Sequence, residues 1–139
     1  MESRNALIDT SLFIDHIRAK DKAATTLKKV HSAHITLLTS SIVAAELCYG
    51  ARSKKMRSDV MALLSISRII PFTEEMACRL SEEAEKLKLK NAMIGFRDLA
   101  IACVAMEESL PLATLNLRDF TRVEGLKLLD LTRVQLNSV

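Results

Sequence analysis

Asp9 and Glu46 each stand as a lone charge within an apolar run, Asp98 opens another such run, and Asn116 and Asp119 follow a further one. Asp9 is the only charged residue between Ala6 and Ile14, Glu46 is the only one from Ile35 through Ala51, and no charge follows Asp98 from Leu99 to Met106. An isolated carboxylate against a core is costly unless a cation or several hydrogen-bond donors meet it. Several carboxylates sharing one pocket repel one another, and a hard divalent cation with oxygen ligands relieves that repulsion. Mg2+ or Mn2+ suits such a set better than zinc, because no Cys or His joins it. His31 and His34 have a His-x-x-His spacing, but no second pair of ligands lies near them in sequence, and His16 is isolated. Each acid also has a plainer reading. Asp9 or Thr10 can cap a helix beginning near Ser11, Asp98 can favour the start of its own helix, and Glu46 can emerge at the surface beside Tyr49.

The elements that position these residues alternate. Asn5 to Ile8 reads as a buried strand that delivers Asp9 to its carboxyl end, followed by a helix carrying Leu12, Phe13, Ile14 and Ile17. Lys20 to Val30 has helical spacing and predicts a surface helix. Ile35 to Thr39 predicts a second strand, Ser40 and Ser41 the turn, and Ile42 onward a helix that holds Glu46 and ends at Gly50. Arg52, Lys54, Lys55 and Arg57 form the densest basic cluster, just ahead of a helix suggested by Val60, Met61, Leu63 and Leu64. Arg68 to Phe72 predicts a short strand that Pro71 assigns to an edge or end. Thr73, Glu74 and Glu75 start a helix with Met76, Leu80, Ala84 and Leu87 as its stripe. A largely buried helix follows from about Arg97 to Glu108, then a strand over Leu110 to Thr114, and a last strand over Leu126 to Leu131 before a polar tail. Strands alternating with helices imply a mostly parallel sheet covered on both faces, with ligands beyond the carboxyl ends of the strands. Asp9, Glu46, Asp98, Asn116 and Asp119 can therefore converge.

With 139 residues the chain fits one domain, 1–139, large enough to fold without disulfides or a structural metal. Cys48, Cys78 and Cys103 are odd in number and set in apolar helical runs, which reads as reduced core cysteines and a cytoplasmic protein. No apolar run is long enough for a membrane span, and no targeting sequence is apparent. A formal charge of +3 permits a polyanionic partner without requiring one. Five aromatic residues and no Trp argue against a base-stacking surface, so phosphate and metal chemistry would carry any recognition of nucleic acid.

Four motifs occur in order: Leu7-Ile8-Asp9-Thr10-Ser11; Ser40-Ser41 with Glu46-Leu47 and Tyr49-Gly50-Ala51; Arg97-Asp98-Leu99-Ala100-Ile101-Ala102; and Ala113-Thr114-Leu115-Asn116 with Arg118-Asp119-Phe120. Together they resemble a PIN domain, most closely the VapC-type ribonuclease toxins of toxin-antitoxin pairs, over nearly the whole chain. The resemblance implies a three-layer α/β/α sandwich around a central, mostly parallel sheet, with an acidic pocket for one or two divalent ions. It implies that Asp9, Glu46 and Asp98 bind metal and catalyse, with Thr10 or Ser11 and Thr114 as hydroxyls around them. Asn116 stands where many relatives carry Asp, and Asp119 is the nearby carboxylate. The implied reaction is attack of an activated water on an RNA phosphodiester, with Glu46 or Asp98 orienting that water. Arg52, Lys54, Lys55, Arg97 and Arg118 are the candidates for holding the RNA backbone. A homodimer and a cognate antitoxin are implied partners. The alternatives are a catalytically weak interaction module, or an RNA-processing nuclease without an antitoxin. A phosphatase with a strand-end Asp nucleophile fits poorly, because Ser11 occupies the place of its second Asp.

Overall fold

The computed structural model describes residues 4–136. Its centre is a four-stranded, wholly parallel sheet in the order β3-β2-β1-β4, made from β1 (Arg4–Ile8), β2 (Ile35–Ser40), β3 (Arg68–Ile70) and β4 (Leu112–Ala113). Leu7 pairs with Leu38 on one side and with Leu112 on the other. The chain thus builds outward from β1 to β2 to β3, then returns to the opposite side of β1 for β4. That reversal opens a crevice at the carboxyl ends of β1 and β4, where open parallel sheets bind ligands.

The helices are α1 (Thr10–Arg18), α2 (Thr26–Ser32), α3 (Ser41–Gly50), α4 (Lys54–Ser65), α5 (Glu74–Leu89), α6 (Phe96–Glu107), α7 (Leu117–Phe120) and α8 (Leu131–Leu136). They flank the sheet in two groups, α1 packing on α2 and α4, and α5 on α6, with α3 touching members of both. This is the expected α/β sandwich. Leu7, Ile8, Leu12, Phe13, Leu99, Ile101, Leu112 and Phe120 are fully buried and form the centre of the core. α6 is buried from Asp98 through Ala105, as its unbroken apolar run requires.

Several local expectations are corrected. The stretch Lys20 to Val30 is not one helix: Asp21 caps a 3₁₀ turn at Lys22–Ala24, and α2 begins afresh because extended Thr25 accepts a hydrogen bond from the Lys28 amide. The helix expected near Val60 begins at Lys54, because Ser53 Oγ accepts from the Met56 amide, so Lys54, Lys55 and Arg57 of the basic cluster ride on its start while Arg52 precedes it. The last strand is a single parallel bridge, Leu112 to Leu128, and Asp130 ends it by accepting from the Thr132 amide as α8 starts. The end of the expected polar tail, residues 137–139, lies outside the described residues. Cys103 is buried as expected, but Cys48 and Cys78 are exposed, since each lies on the outward face of its helix. β3 does form the sheet edge, with Pro71 immediately after it. No helix among the described residues is long and apolar enough to cross a membrane.

Candidate active site

Asp9 follows β1 directly, and its amide donates to the Ala113 carbonyl of β4 at 3.0 Å, so backbone pairing fixes it in the crevice. It occupies the cap position of α1, yet its side chain makes no capping bond. Instead Oδ2 accepts from Thr114 Oγ1 at 2.8 Å and from Ser11 Oγ at 3.0 Å. Oδ1 is buried with no hydrogen-bond partner. Burial pushes the Asp9 pKa up; the hydroxyls of Thr114 and Ser11 and, more weakly, the Thr10 amide pull it back, while the charge on Asp98 adds to the rise. The helix-cap reading of Asp9 therefore gives way to a carboxylate held by side chains with one oxygen free.

The hydroxyls are themselves tied together. Ser11 Oγ accepts from the Leu115 amide at 3.0 Å, and Thr114 Oγ1 accepts from the Asn116 amide at 2.9 Å. These bonds bind the turn after β4 to the first turn of α1. Thr10 Oγ1 points the other way and donates to Glu46 Oε1 at 2.8 Å. Ser40 caps α3 by accepting from the Val43 amide at 3.1 Å, which starts the helix that carries Glu46 two turns later.

Asp98 lies in the first turn of α6, whose cap position is Gly95 and has no side-chain cap, so Asp98 is not a capping residue. Its carboxylate is buried and divided between two neighbours. Oδ1 accepts from Arg97 Nη2 at 2.9 Å and Nε at 3.3 Å, and Oδ2 accepts from Asn116 Nδ2 at 3.4 Å. The same Asn116 amide donates to Asp119 Oδ2 at 3.3 Å, so it spans the two acids. Arg97 Nη1 reaches Glu46 Oε2 at 2.5 Å. Burial opposes the charge on Arg97, but Asp98 and Glu46 outweigh it and hold the guanidinium pKa above its ordinary value.

Five residues singled out in the sequence, Asp9, Glu46, Asp98, Asn116 and Asp119, are thus linked through Thr10, Ser11, Thr114 and Arg97 into one network. Arg97 sits inside it, bridging acids on two helices, a place that its neighbours in sequence do not reveal. Arg52, Lys54, Lys55 and Arg118 are exposed and make no bond to the network, and Lys55 pairs with Asp59 at 3.2 Å. His31 and His34 are exposed, and His34 adopts a left-handed conformation after α2. A cavity of about 790 Å³ lies at the opposite end of β1 beside Arg4, Lys127 and Arg133 and contains none of the network acids.

The donor set is entirely oxygen apart from the Asn116 amide nitrogen, and the buried, unpartnered Oδ1 of Asp9 is the feature a cation would complete. These residues fit a hard divalent ion. Among the described residues no three acidic, His or Cys side chains already close on one ion-sized position; Arg97 and Asn116 occupy oxygens of Glu46, Asp98 and Asp119 instead.

The PIN domain family matches residues 6–126 of the chain. Ribonuclease VapC2 of Rickettsia felis is 32% identical over 124 residues, covering 86% of this chain and 92% of that protein. Ribonuclease VapC10 of Mycobacterium tuberculosis is 33% identical over 121 residues, covering 87% and 90%. Among solved structures, VapBC2 from Rickettsia felis bound to a promoter DNA fragment superposes with a TM-score of 0.79 at 29% identity, covering 90% of this chain and 97% of that one. VapBC-1 from nontypeable Haemophilus influenzae gives 0.78 at 26% identity, covering 92% and 98%. With the family matched over most of its length, and with its acids gathered at the sheet's switch point, this chain belongs to the PIN-domain family.

Proposed function

We propose that this protein is a divalent-metal-dependent endoribonuclease of the VapC kind and the toxin of a toxin-antitoxin pair. The observation that carries the reading is the convergence of Asp9, Glu46, Asp98 and Asp119, with Asp9 Oδ1 buried and unpartnered. Four carboxylates against one guanidinium leave the site strongly anionic, which suits a cation and repels a phosphodiester until a cation is present. The names of the VapC relatives supply the substrate class, and the VapBC complexes supply the antitoxin.

Asp9, Glu46, Asp98, Asn116 and Asp119 would hold Mg2+ or Mn2+, Asn116 through its side-chain oxygen. When bound, the ion offsets charge growing on the phosphate and makes a neighbouring water more acidic. Glu46, whose Oε1 accepts from Thr10, or Asp98 would orient the attacking water. Ser11 and Thr114 hold Asp9 from one side and leave its free oxygen directed away from them. Arg52, Lys54 and Arg118, with Lys55 in its exposed pair with Asp59, would hold the RNA backbone, which gives salt-sensitive binding. Homodimerisation and residence in the cytoplasm complete the reading, as in the family this chain resembles.

The test is cleavage of total cellular RNA by the chain freed of any bound partner, with Mg2+ or Mn2+ and then with chelator. Fragments that appear with the ion and vanish with chelator are expected. Intact RNA under every ion, including structured tRNA and rRNA, would replace this reading with an interaction module. Cleavage by a chain whose gene has no small neighbour encoding a DNA-binding protein would favour an RNA-processing nuclease.

A further inference from the structure

Arg97 is oddly placed for a helix residue. It lies in the first turn of α6, where the helix dipole is positive and a cation is disfavoured. Its location is accounted for by the acids: Nη1 bonds Glu46 Oε2 at 2.5 Å, while Nη2 and Nε bond Asp98 Oδ1 at 2.9 and 3.3 Å. One planar guanidinium thereby joins α3 to α6 across the site. The side chain is nevertheless half exposed, at 50%, so it can leave into solvent without unpacking the core. Glu46 is 24% and Asp98 9% exposed, which places the charge of Arg97 on carboxylates that are otherwise short of compensation. The oxygens it uses are ones a divalent ion would need.

We infer that Arg97 is a resident counter-cation that competes with the divalent ion for Glu46 and Asp98, and that ion loading releases its guanidinium to the mouth of the site. This rests on the metal-dependent reading above and adds a coupling to it. The site then keeps its acids paired before loading, and the displaced guanidinium becomes available to a substrate phosphate only once the ion is in place. Arg97 acts in this scheme as a positioning residue that links metal binding to phosphate binding.

A competitor lowers apparent affinity by the fraction of time it leaves the site open. For a half-exposed ion pair closed about four-fifths of the time, Arg97→Gln should bind Mn2+ about fivefold more tightly than wild type. Calorimetric titration with Mn2+ alone, in the absence of RNA, reads this directly. Arg97→Lys, whose single ammonium cannot span both carboxylates, should fall between the two. Arg68→Gln, which removes the same charge from the exposed edge strand without touching the network, should stay within about twofold of wild type. In the wild-type protein, side-chain NMR of 15N-labelled arginine should show the Arg97 Nε resonance moving during a Mg2+ titration, a readout that needs no variant. Equal or weaker Mn2+ binding by Arg97→Gln, or an Arg97 resonance that ignores Mg2+, overturns the competition while leaving the metal site standing. Absence of Mn2+ binding to every form overturns both the competition and the metal-dependent reading.

Discussion

Asp9→Asn should make the protein more stable without metal and less stable, relative to wild type, with it. In the wild type the Asp9 carboxylate is buried, only 3% exposed, and offers one oxygen to Thr114 and Ser11 while the other has no partner. Asparagine keeps an acceptor for both hydroxyls and places a neutral amide in the unpartnered position. An unsatisfied buried donor costs about 1–3 kcal/mol, whereas an uncompensated buried charge costs several kcal/mol. The variant should therefore gain about 1–2 kcal/mol in chelator, a rise of roughly 3–7 °C in Tm for a chain of this size. An ion that binds only the folded state adds about 2.7 kcal/mol at 100 times its Kd, and the variant, short of one ligand, should receive little of this. Thermal unfolding in chelator and in Mn2+ measures both terms, and the order of the two proteins should invert. The pH dependence has a definite sign. Because burial raises the Asp9 pKa above 3.8, the folded protein holds that proton more tightly than the unfolded chain does. The stability this contributes is fully present below pH 3.8 and is lost as pH rises through the folded pKa, so the variant's advantage should open across that interval and then level off. A variant less stable than wild type in chelator at neutral pH, or one that gains as much from Mn2+, would refute the reasoning.

Thr114→Val removes the 2.8 Å donor to Asp9 and leaves its second oxygen with Ser11 alone, so it should cost about 1–3 kcal/mol in chelator by denaturant unfolding. Replacing Arg52, Lys54 and Lys55 with Gln should weaken RNA binding and flatten its salt dependence, by about 0.7 in the slope of log K against log salt for each single-strand phosphate no longer neutralised; an unchanged slope in a filter-binding series would remove these residues from the RNA path. Cys48 and Cys78 should react promptly with a thiol reagent in the native protein, whereas Cys103, buried and with its thiol pushed up to about 11, should react only on unfolding. Three fast equivalents would contradict the packing of α6.

Much of the arrangement is legible in the residues because the chain isolates its charges. Asp9 and Glu46 interrupt apolar runs that have to be buried, Asp98 opens another, and the alternation of strand and helix sends them to one end of a sheet. Capping and site chemistry are indistinguishable in the sequence at Asp9 and Asp98, since both require an Asp near a helix start; only the bonds to Thr114, Ser11, Arg97 and Asn116 decide between them. The role of Arg97 is hidden because its partner Glu46 is 51 residues away and its own helix gives no reason for it to be there. Glu83 is similarly obscure: it is buried in α5, satisfied by Lys86 at 3.3 Å and close to Arg79, within a helix whose charges otherwise face solvent. Periodicity fails for short elements where one local bond competes with it, as with Thr25 at the start of α2 and Asp130 at the start of α8.

The most direct measurement compares single-turnover cleavage of one defined RNA by wild type and by Asp98→Asn, at saturating Mn2+ and with matched circular dichroism and Tm. Asp98 is buried beside Asn116 and Arg97, and its neutral isostere keeps the shape of the site while removing a charge that no other residue replaces. A loss of at least about a hundredfold, the scale expected when a single electrostatic partner of the transition state is removed, is the expected result. An equally folded Asp98→Asn that cleaves at the wild-type rate would contradict the assignment of this acidic cluster as the ribonuclease centre.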